Sequence, residues 1–175
     1  MKKIIITVFA ASSLLLYSTP SFALLNFSVG VPLSHSLADS EGVSGYFIQI
    51  GVPMLPGLGM DSYETKIKCT GSCPKVSKLS TSMYNLYYLL PIPIINLTIG
   101  LGTGKTEYSY GDVALGDGAA TQWYTSFGIP IIPLFDLHLS YRSISSKIEW
   151  TTGNDKGTKS DFGGSVMGLG IGFNF

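Results

Sequence analysis

The carboxy-terminal segment alternates between apolar side chains and small or polar ones. Leu169, Ile171, Phe173 and Phe175 share one parity, and the positions between them are Gly or Asn. A period of two predicts a β-strand with one apolar face. Similar alternation recurs along the chain, less cleanly in the third and fourth segments. It predicts eight strands, near residues 24–33, 44–53, 59–69, 76–90, 94–108, 120–130, 134–150 and 161–175.

Two kinds of connection separate these strands. Three proline-rich turns, at residues 53–57, 91–93 and 130–133, mark strand ends, because proline has no N–H for a sheet ladder. Longer polar segments lie between them, at residues 34–43, 70–75, 109–119 and 151–161. The pattern therefore predicts an all-β fold, an eight-stranded antiparallel up-and-down transmembrane β-barrel, with short periplasmic turns and longer outer loops.

The first residues have the composition of an export signal. Lys2 and Lys3 precede a mostly apolar run, and a small-x-small site ends at Ala23. This pattern predicts a secretory signal peptide at residues 1–23, cleaved from a barrel domain at residues 24–175.

Composition narrows the function classes. Charged residues are 13% of the chain, against roughly 25% in soluble domains, and the formal net charge is zero. Without a basic stripe, nucleic acid is not an expected partner. The longest apolar run, residues 86–95, is much shorter than the roughly 20 residues of a membrane helix. A closed barrel is the other fold that satisfies its backbone hydrogen bonds in lipid. A soluble lipocalin-like binding barrel remains an alternative.

The polar face of each strand should point inward if the outside is lipid, because a Lys or Arg facing lipid at midplane costs about 2–4 kcal/mol. Eight strands leave an interior just wide enough for side chains, so we interpret the inward charges as a structural ion-pair network. A path for protons or ions is the alternative. The predicted lumen polar network comprises Glu64, Lys66, Asp136, His138 and Arg142. We expect His35 to be a solvated residue of the first outer loop.

Cys69 and Cys73 are separated by three residues in the second outer loop. In an oxidising compartment this spacing predicts a disulfide across a tight loop. Half of a metal site is the alternative, but no His or carboxylate stands beside the pair at ligand spacing. We therefore expect neither a metal nor a cofactor.

Residues 24–175 resemble the small eight-stranded outer-membrane β-barrel proteins of the OmpA/OmpX type. The terminal segment carries the resemblance: Gly170, Phe173 and Phe175 match the assembly signal of that group. The resemblance implies the outer membrane of a Gram-negative bacterium, with outer-membrane lipids and the barrel-assembly machinery as partners. The expected function is a structural or surface-interaction role, with an unknown surface partner. A narrow, porin-like channel for small solutes is the alternative.

One pattern has the residue types of a nucleophilic site. His138 and Ser140 share a strand face, and Glu149 follows on the same strand. The lipid A 3-O-deacylases use a similar His-x-Ser pair that faces lipid, whereas the alternation here places both side chains inside. We therefore expect no enzymatic activity and no catalytic residues.

Overall fold

The computed structural model describes residues 25–37, 39–68, 76–92, 95–132, 134–152 and 156–175. The predicted signal peptide and the predicted Cys69–Cys73 disulfide lie outside these ranges. Within them, no helix is long and apolar enough to cross a membrane. The strands are β1 Asn26–His35, β2 Ser40–Gly51, β3 Pro56–Ile67, β4 Ser77–Ile92, β5 Ile95–Tyr110, β6 Val113–Ile132, β7 Phe135–Trp150, β8 Lys159–Asp161 and β9 Gly164–Asn174.

These strands close into an eight-stranded antiparallel barrel. Each pairs with its neighbour from β1 to β7, and β9 pairs with both β7 and β1. The short β8 is the outer end of the same strand as β9. Asp161 lies opposite Lys147 and Gly164 opposite Ile144, so one register continues across the break. The predicted fold class is confirmed.

The two ends of the described chain meet at the seam of the barrel. The Leu25 amide donates to the Phe175 carbonyl at 3.0 Å, and the Phe175 amide donates to the Leu25 carbonyl at 2.9 Å. This end of the barrel also carries the connections between β2 and β3, β4 and β5, and β6 and β7. We call it the turn end, and the opposite end the loop end.

One predicted loop is wrong. Residues 109–119 were expected to form an outer loop, but β5 runs to Tyr110 and β6 begins at Val113. Only Gly111 and Asp112 form the turn, and Gly111 has a φ of 61°, which suits glycine. Glu107 lies opposite Asp117, so the hairpin continues in the segment expected to be a loop. Its polar composition was misleading because one face of this hairpin, with Glu107 and Asp117, is exposed to solvent.

Strand length differs around the barrel. β4, β5 and β7 have 16 residues and β6 has 20, whereas β1, β2 and β3 have 10 to 12. The strand formed by β8 and β9 runs from Lys159 to Asn174 with a short break. A tilted membrane-spanning strand needs about 9–11 residues. The long strands therefore form a wall that is longer than such a span requires.

The wall has two parts that differ in side-chain chemistry. On β7, residues 135–141 belong to what we call the turn half, and residues 143–150 to the loop half, with Arg142 between them. In the turn half, the outward side chains are apolar and exposed, for example Leu137, Leu139 and Ile171. In the loop half, the outward side chains of β7 include Lys147 and Glu149, both exposed.

Candidate functional site: the barrel interior

A buried ion pair crosses the centre of the barrel. Nε of Arg142 on β7 donates to Oδ2 of Asp61 on β3 at 3.0 Å. The two strands are diametrically opposite in the closed order, so the pair spans the interior. Their side chains are 2% and 0% exposed. Buried charges of opposite sign are stable only when paired and hydrogen-bonded, so each side chain depends on the other.

A second bridge joins another diametric pair of strands. Nε2 of Gln49 on β2 donates to the Tyr124 hydroxyl on β6 at 2.7 Å. Oε1 of Gln49 accepts from the Ser28 hydroxyl at 3.0 Å, which fixes the orientation of its amide. The two bridges cross the interior between different strands. They therefore tie together four strands: β2, β3, β6 and β7.

Further polar and aromatic groups surround these bridges. Gln122 donates to Asp61 at 2.6 Å and to Oδ1 of Asn85 at 2.5 Å. The Arg142 guanidinium lies 3.5 Å from the centroid of the Phe47 ring and 5.0 Å from that of Tyr124. Cation–π contacts of this kind are strengthened where water is excluded. We call this set the central layer: Phe47, Gln49, Asp61, Asn85, Gln122, Tyr124 and Arg142.

Glycines on the neighbouring strands make room for the rings of the central layer. A Cβ built on Gly100 would lie 2.3 Å from the Tyr124 ring, and one on Gly168 would lie 2.5 Å from the Phe47 ring. Such approaches are too close for any other residue. Part of the glycine content of the chain therefore serves ring packing inside the barrel.

The turn half of the interior is polar. Asp136 lies 2.6 Å from Nε2 of His138, and it accepts from the side-chain amides of Asn96 at 2.6 Å and Asn174 at 2.9 Å. Asn174 also accepts from Asn26 at 2.7 Å. This cluster ties the first and last barrel strands to β5 and β7. No group of three or more His, Cys, Asp or Glu side chains in the described residues is arranged to hold a metal.

The loop half of the interior combines apolar side chains with buried hydroxyls, such as those of Thr65, Thr106 and Ser146. Leu79, Met83, Ile148 and Val166 are each 1% exposed or less. An aromatic cluster lies at the loop end, with the Tyr108 ring centroid 5.2 Å from that of Trp150 and 5.5 Å from that of Phe162. This half therefore contains large apolar side chains that are packed away from solvent.

No protein-family model matches the chain, and no curated protein matches it in sequence. Solved structures do match. Neisserial surface protein A aligns with a TM-score of 0.54 and 13% identity, over 86% of this chain and 96% of that one. Outer membrane protein W of E. coli aligns with a TM-score of 0.54 and 8% identity, over 90% and 100%. The N-terminal β-barrel domain of Pseudomonas aeruginosa OprF aligns with a TM-score of 0.50 and 12% identity, over 87% and 98%.

This chain has the small outer-membrane barrel fold. The expected resemblance to that group is thus confirmed at the level of the fold. In barrels of this size the interior is packed by side chains rather than open.

The structure places the five residues of the predicted lumen network in two environments. Asp136, His138 and Arg142 are buried inside. Glu64 and Lys66 are exposed on the outer surface of β3, so their assignment to the lumen was wrong. Oε2 of Glu64 lies 3.4 Å from Nζ of Lys78, in an exposed ion pair. These charges can face outward because they lie near the loop end of β3, beyond the apolar belt.

Sequence reasoning missed Asp61, the partner of Arg142. It shares its parity with Tyr63, and that face of β3 was interpreted as the lipid-facing one. The available signal was position: Asp61 is the charge nearest the centre of β3, whereas Glu64 and Lys66 stand near its end. A charge at midplane has the stronger preference for the interior, so Asp61 should have decided the orientation of the strand.

The His-x-Ser pair does not have the geometry of a nucleophile and its base. The Ser140 hydroxyl accepts from Nη1 of Arg142 at 2.5 Å and donates to the Gly168 carbonyl at 3.3 Å. His138 instead pairs with Asp136. Glu149 is outside the barrel, 3.6 Å from Lys159.

Two further predictions concern His35 and the carboxy-terminal assembly signal. His35 was expected to be solvated, but it ends β1 with 7% exposure, and its Nδ1 lies 2.8 Å from the Thr65 hydroxyl. That prediction was wrong because β1 continues beyond the predicted boundary. Phe173 packs between Phe27 and Phe135, with centroid distances of 6.3 and 4.9 Å. An assembly role for Gly170, Phe173 and Phe175 stays a prediction.

A small cavity remains beside the central layer. Its volume is about 20 Å³, and Ser28, Gln49, His138, Ser140 and Arg142 are among its lining residues. A polar cavity of this size has room for a single water molecule, because one water needs about 10–15 Å³ of such volume.

Proposed function

We propose that this protein is an integral outer-membrane protein of a Gram-negative bacterium, with an occluded barrel that acts as an anchor. Its role is structural or surface-interacting, exerted by the part of the wall that extends beyond the membrane. The observation that carries this proposal is the pair of side-chain bridges, Arg142 to Asp61 and Gln49 to Tyr124, between diametrically opposite strands. A solute would have to break both bridges to pass.

Two further features support an outer-membrane location. The outward face of the turn half is a continuous belt of exposed apolar side chains, which a water-soluble barrel would not tolerate. Residues 1–23 have the composition of an export signal. Outer-membrane lipids and the barrel-assembly machinery are the partners that this location requires. The polar turn half of the interior disfavours a lipocalin-like barrel, which would need an apolar cavity.

Planar-bilayer recording tests the occluded barrel. Wild-type protein should give no stable unit conductance above the lipid baseline. Replacing both charges of the ion pair, as Asp61→Ser with Arg142→Ser, removes one bridge without leaving an unpaired charge, and should produce small or transient conductance steps. Stable unit steps in the wild type would instead establish the narrow channel. A protein that does not enter bilayers at all would contradict the membrane location.

Mass spectrometry of lipid A tests for a lipid-modifying enzyme. Cells with and without the protein should contain lipid A of the same acylation, because Ser140 and His138 face the interior and the Ser140 hydroxyl is engaged by Arg142. Loss of an acyl chain that depends on Ser140 would overturn this part of the proposal.

A further inference from the structure

The outward face of β5, β6 and β7 changes chemistry in bands toward the loop end. The first band contains Leu101 opposite Trp123, and Trp123 opposite Ser143. The next contains Thr103 opposite Thr121, and Thr121 opposite Ser145. Lys105 then lies opposite Ala119, and the register of β6 with β7 puts Lys147 on the other side of that alanine. The last band is acidic and consists of Glu107, Asp117 and Glu149.

The two lysines of this face form no ion pair with the described residues, although Asp161 on β8 lies opposite Lys147 in the strand register. Among the described residues, Lys78 pairs with Glu64 and Lys159 with Glu149. Within the same ranges, neither Lys105 nor Lys147 has a carboxylate within ion-pair distance, and both are exposed. Because Ala119 between them has only a methyl group, nothing separates the two ammonium groups.

The spacing and height of the lysines fit a ligand that rises from the membrane surface. Two strand spacings separate their Cα atoms by about 10 Å. Lys105 is the second outward residue beyond Leu101, and Lys147 is the third beyond Tyr141. Since barrel strands are tilted, Lys147 lies farther from the bilayer than Lys105. A ligand that contacts both must extend upward along the wall.

A shallow groove lies directly below the lysines. Its volume is about 320 Å³, and its lining residues are Leu101, Thr121, Gln122, Trp123, Ser143 and Ser145. Trp123 is 50% exposed there, at the edge of the apolar belt where aromatic residues meet lipid headgroups. The hydroxyl groups of Thr121, Ser143 and Ser145 can exchange hydrogen bonds with a polyhydroxylated ligand.

We propose that Lys105, Lys147, Thr103, Thr121, Ser145 and Trp123, the lysine patch, bind the phosphorylated sugar headgroup of an outer-leaflet glycolipid. The proposal rests on the proposed membrane location. Phosphate is held between the two ammonium groups, and the acidic band beyond them limits how far the anion rises. Sugar hydroxyls bond to the hydroxyl band and a sugar face packs on the Trp123 ring. The acyl chains continue over Leu101.

The alternative occupants fit this surface less well. A phospholipid headgroup lacks the sugar hydroxyls and the height to reach Lys147. A protein partner would have to approach at the edge of the bilayer, where the lower half of the groove is covered by lipid. The combination of two cations, a hydroxyl band and an aromatic ring at the interface is best matched by a phosphorylated glycolipid.

Reconstitution in phosphatidylcholine vesicles tests this proposal. The vesicles contain bis-phosphorylated lipid A, the same lipid A without its phosphates, or phosphatidylglycerol, and native mass spectrometry measures the lipid retained by the barrel. Wild-type protein should prefer bis-phosphorylated over phosphate-free lipid A by about 30-fold, since each lysine near a phosphate surface contributes about fivefold. It should retain less phosphatidylglycerol than bis-phosphorylated lipid A.

The double variant Lys105→Gln with Lys147→Gln should lose this preference, and Lys105→Gln alone should lose about fivefold. The matched control, Lys66→Gln with Lys68→Gln, removes the same charge from β3 and its adjacent loop and should keep the preference. Heat-modifiable migration in SDS gels checks that each variant is folded. If the double variant does not fold, the single variant decides.

Three results would overturn the lysine patch. They are no preference in the inserted wild type, a preference that survives in the folded lysine variants, or equal retention of phosphatidylglycerol and bis-phosphorylated lipid A. Failure of the proposed function has a different signature, because the wild-type protein would then remain extractable from the vesicles by urea.

Discussion

The turn half and the loop half of the barrel are built from the same strands with opposite arrangements of apolar and polar side chains. On β7, Leu137 and Leu139 point outward in the turn half and Asp136 points inward. In the loop half, Lys147 points outward and Ile148 inward. The register of β7 with its neighbours is continuous between these positions. The strand does not turn over, and only the chemistry of its two faces changes.

The difference indicates that the medium outside each half decides which face of a strand is apolar. Whether a side chain points into or out of the barrel does not decide it alone. In the proposed membrane location, lipid surrounds the turn half, so apolar side chains face out and the interior is available for hydrogen-bonded polar groups. Water then surrounds the loop half, so large apolar side chains such as Ile148 and Val166 are buried inside. The central layer lies where the two regimes meet.

The largest effect should come from the central layer. Arg142→Ala leaves the Asp61 carboxylate buried and unpaired, and should lower the free energy of unfolding by about 3–5 kcal/mol. Urea unfolding in lipid vesicles, followed by tryptophan fluorescence, measures it. Lys147→Ala, a charge loss on the outer surface of the same strand, should stay within about 0.5 kcal/mol. Equal losses in the two variants would show that the interior does not depend on the ion pair.

A double-mutant cycle tests whether Arg142 and Asp61 stabilise the barrel as a pair. If the loss reflects an unpaired charge, the double variant Arg142→Ala with Asp61→Ala should lose much less than the sum of the two single variants, because residues in contact are not additive. An additive result would indicate that each side chain contributes by packing alone.

The apolar core of the loop half gives the next effect. Ile148 is fully buried there, and Ile148→Ala should lower the free energy of unfolding by about 3 kcal/mol, because it leaves a cavity that the wall cannot fill. Leu139→Ala, on the outward face of the turn half, should have a smaller effect, since lipid chains move into the space. If Leu139→Ala proved as damaging as Ile148→Ala, the loop half would not be a soluble-type core.

A lysine scan along the outer surface of β7 locates the boundary between the halves. Leu139→Lys places a charge in the apolar belt and should cost about 2–4 kcal/mol in vesicles, whereas Ser145→Lys should cost about 0–1 kcal/mol. Both positions face outward, so the contrast depends on height alone. Similar costs at the two positions would mean that the bilayer covers the whole wall, and the polar bands of β5 to β7 would then need another explanation.

The fold could be predicted from the sequence because strand alternation and turn composition locate the strands. They do so even where the inward face of a strand is assigned wrongly. The interior was harder to predict. Asp136 and His138 lie in the turn half and Arg142 in the central layer, where the rule that polar side chains point inward holds. Glu64 and Lys66 lie in the loop half of β3, where water reverses the rule. The Arg142–Asp61 pair depends on which strands end up opposite each other, and single-strand periodicity carries no such information.

The smallest expected effect is the loss of free energy of unfolding when one hydrogen-bonded pair of side chains is removed from the interior. The Thr81 and Thr106 hydroxyls lie 3.3 Å apart in the loop half. Replacing both by Val removes donor and acceptor together and should change the free energy of unfolding by no more than about 0.5 kcal/mol. The matched pair in the central layer, Gln49→Leu with Tyr124→Phe, leaves the Ser28 hydroxyl without its acceptor and should cost about 1–3 kcal/mol. Since both double variants remove one bridge between side chains, an equal outcome would mean that the central layer depends no more on its bridge than the loop half does.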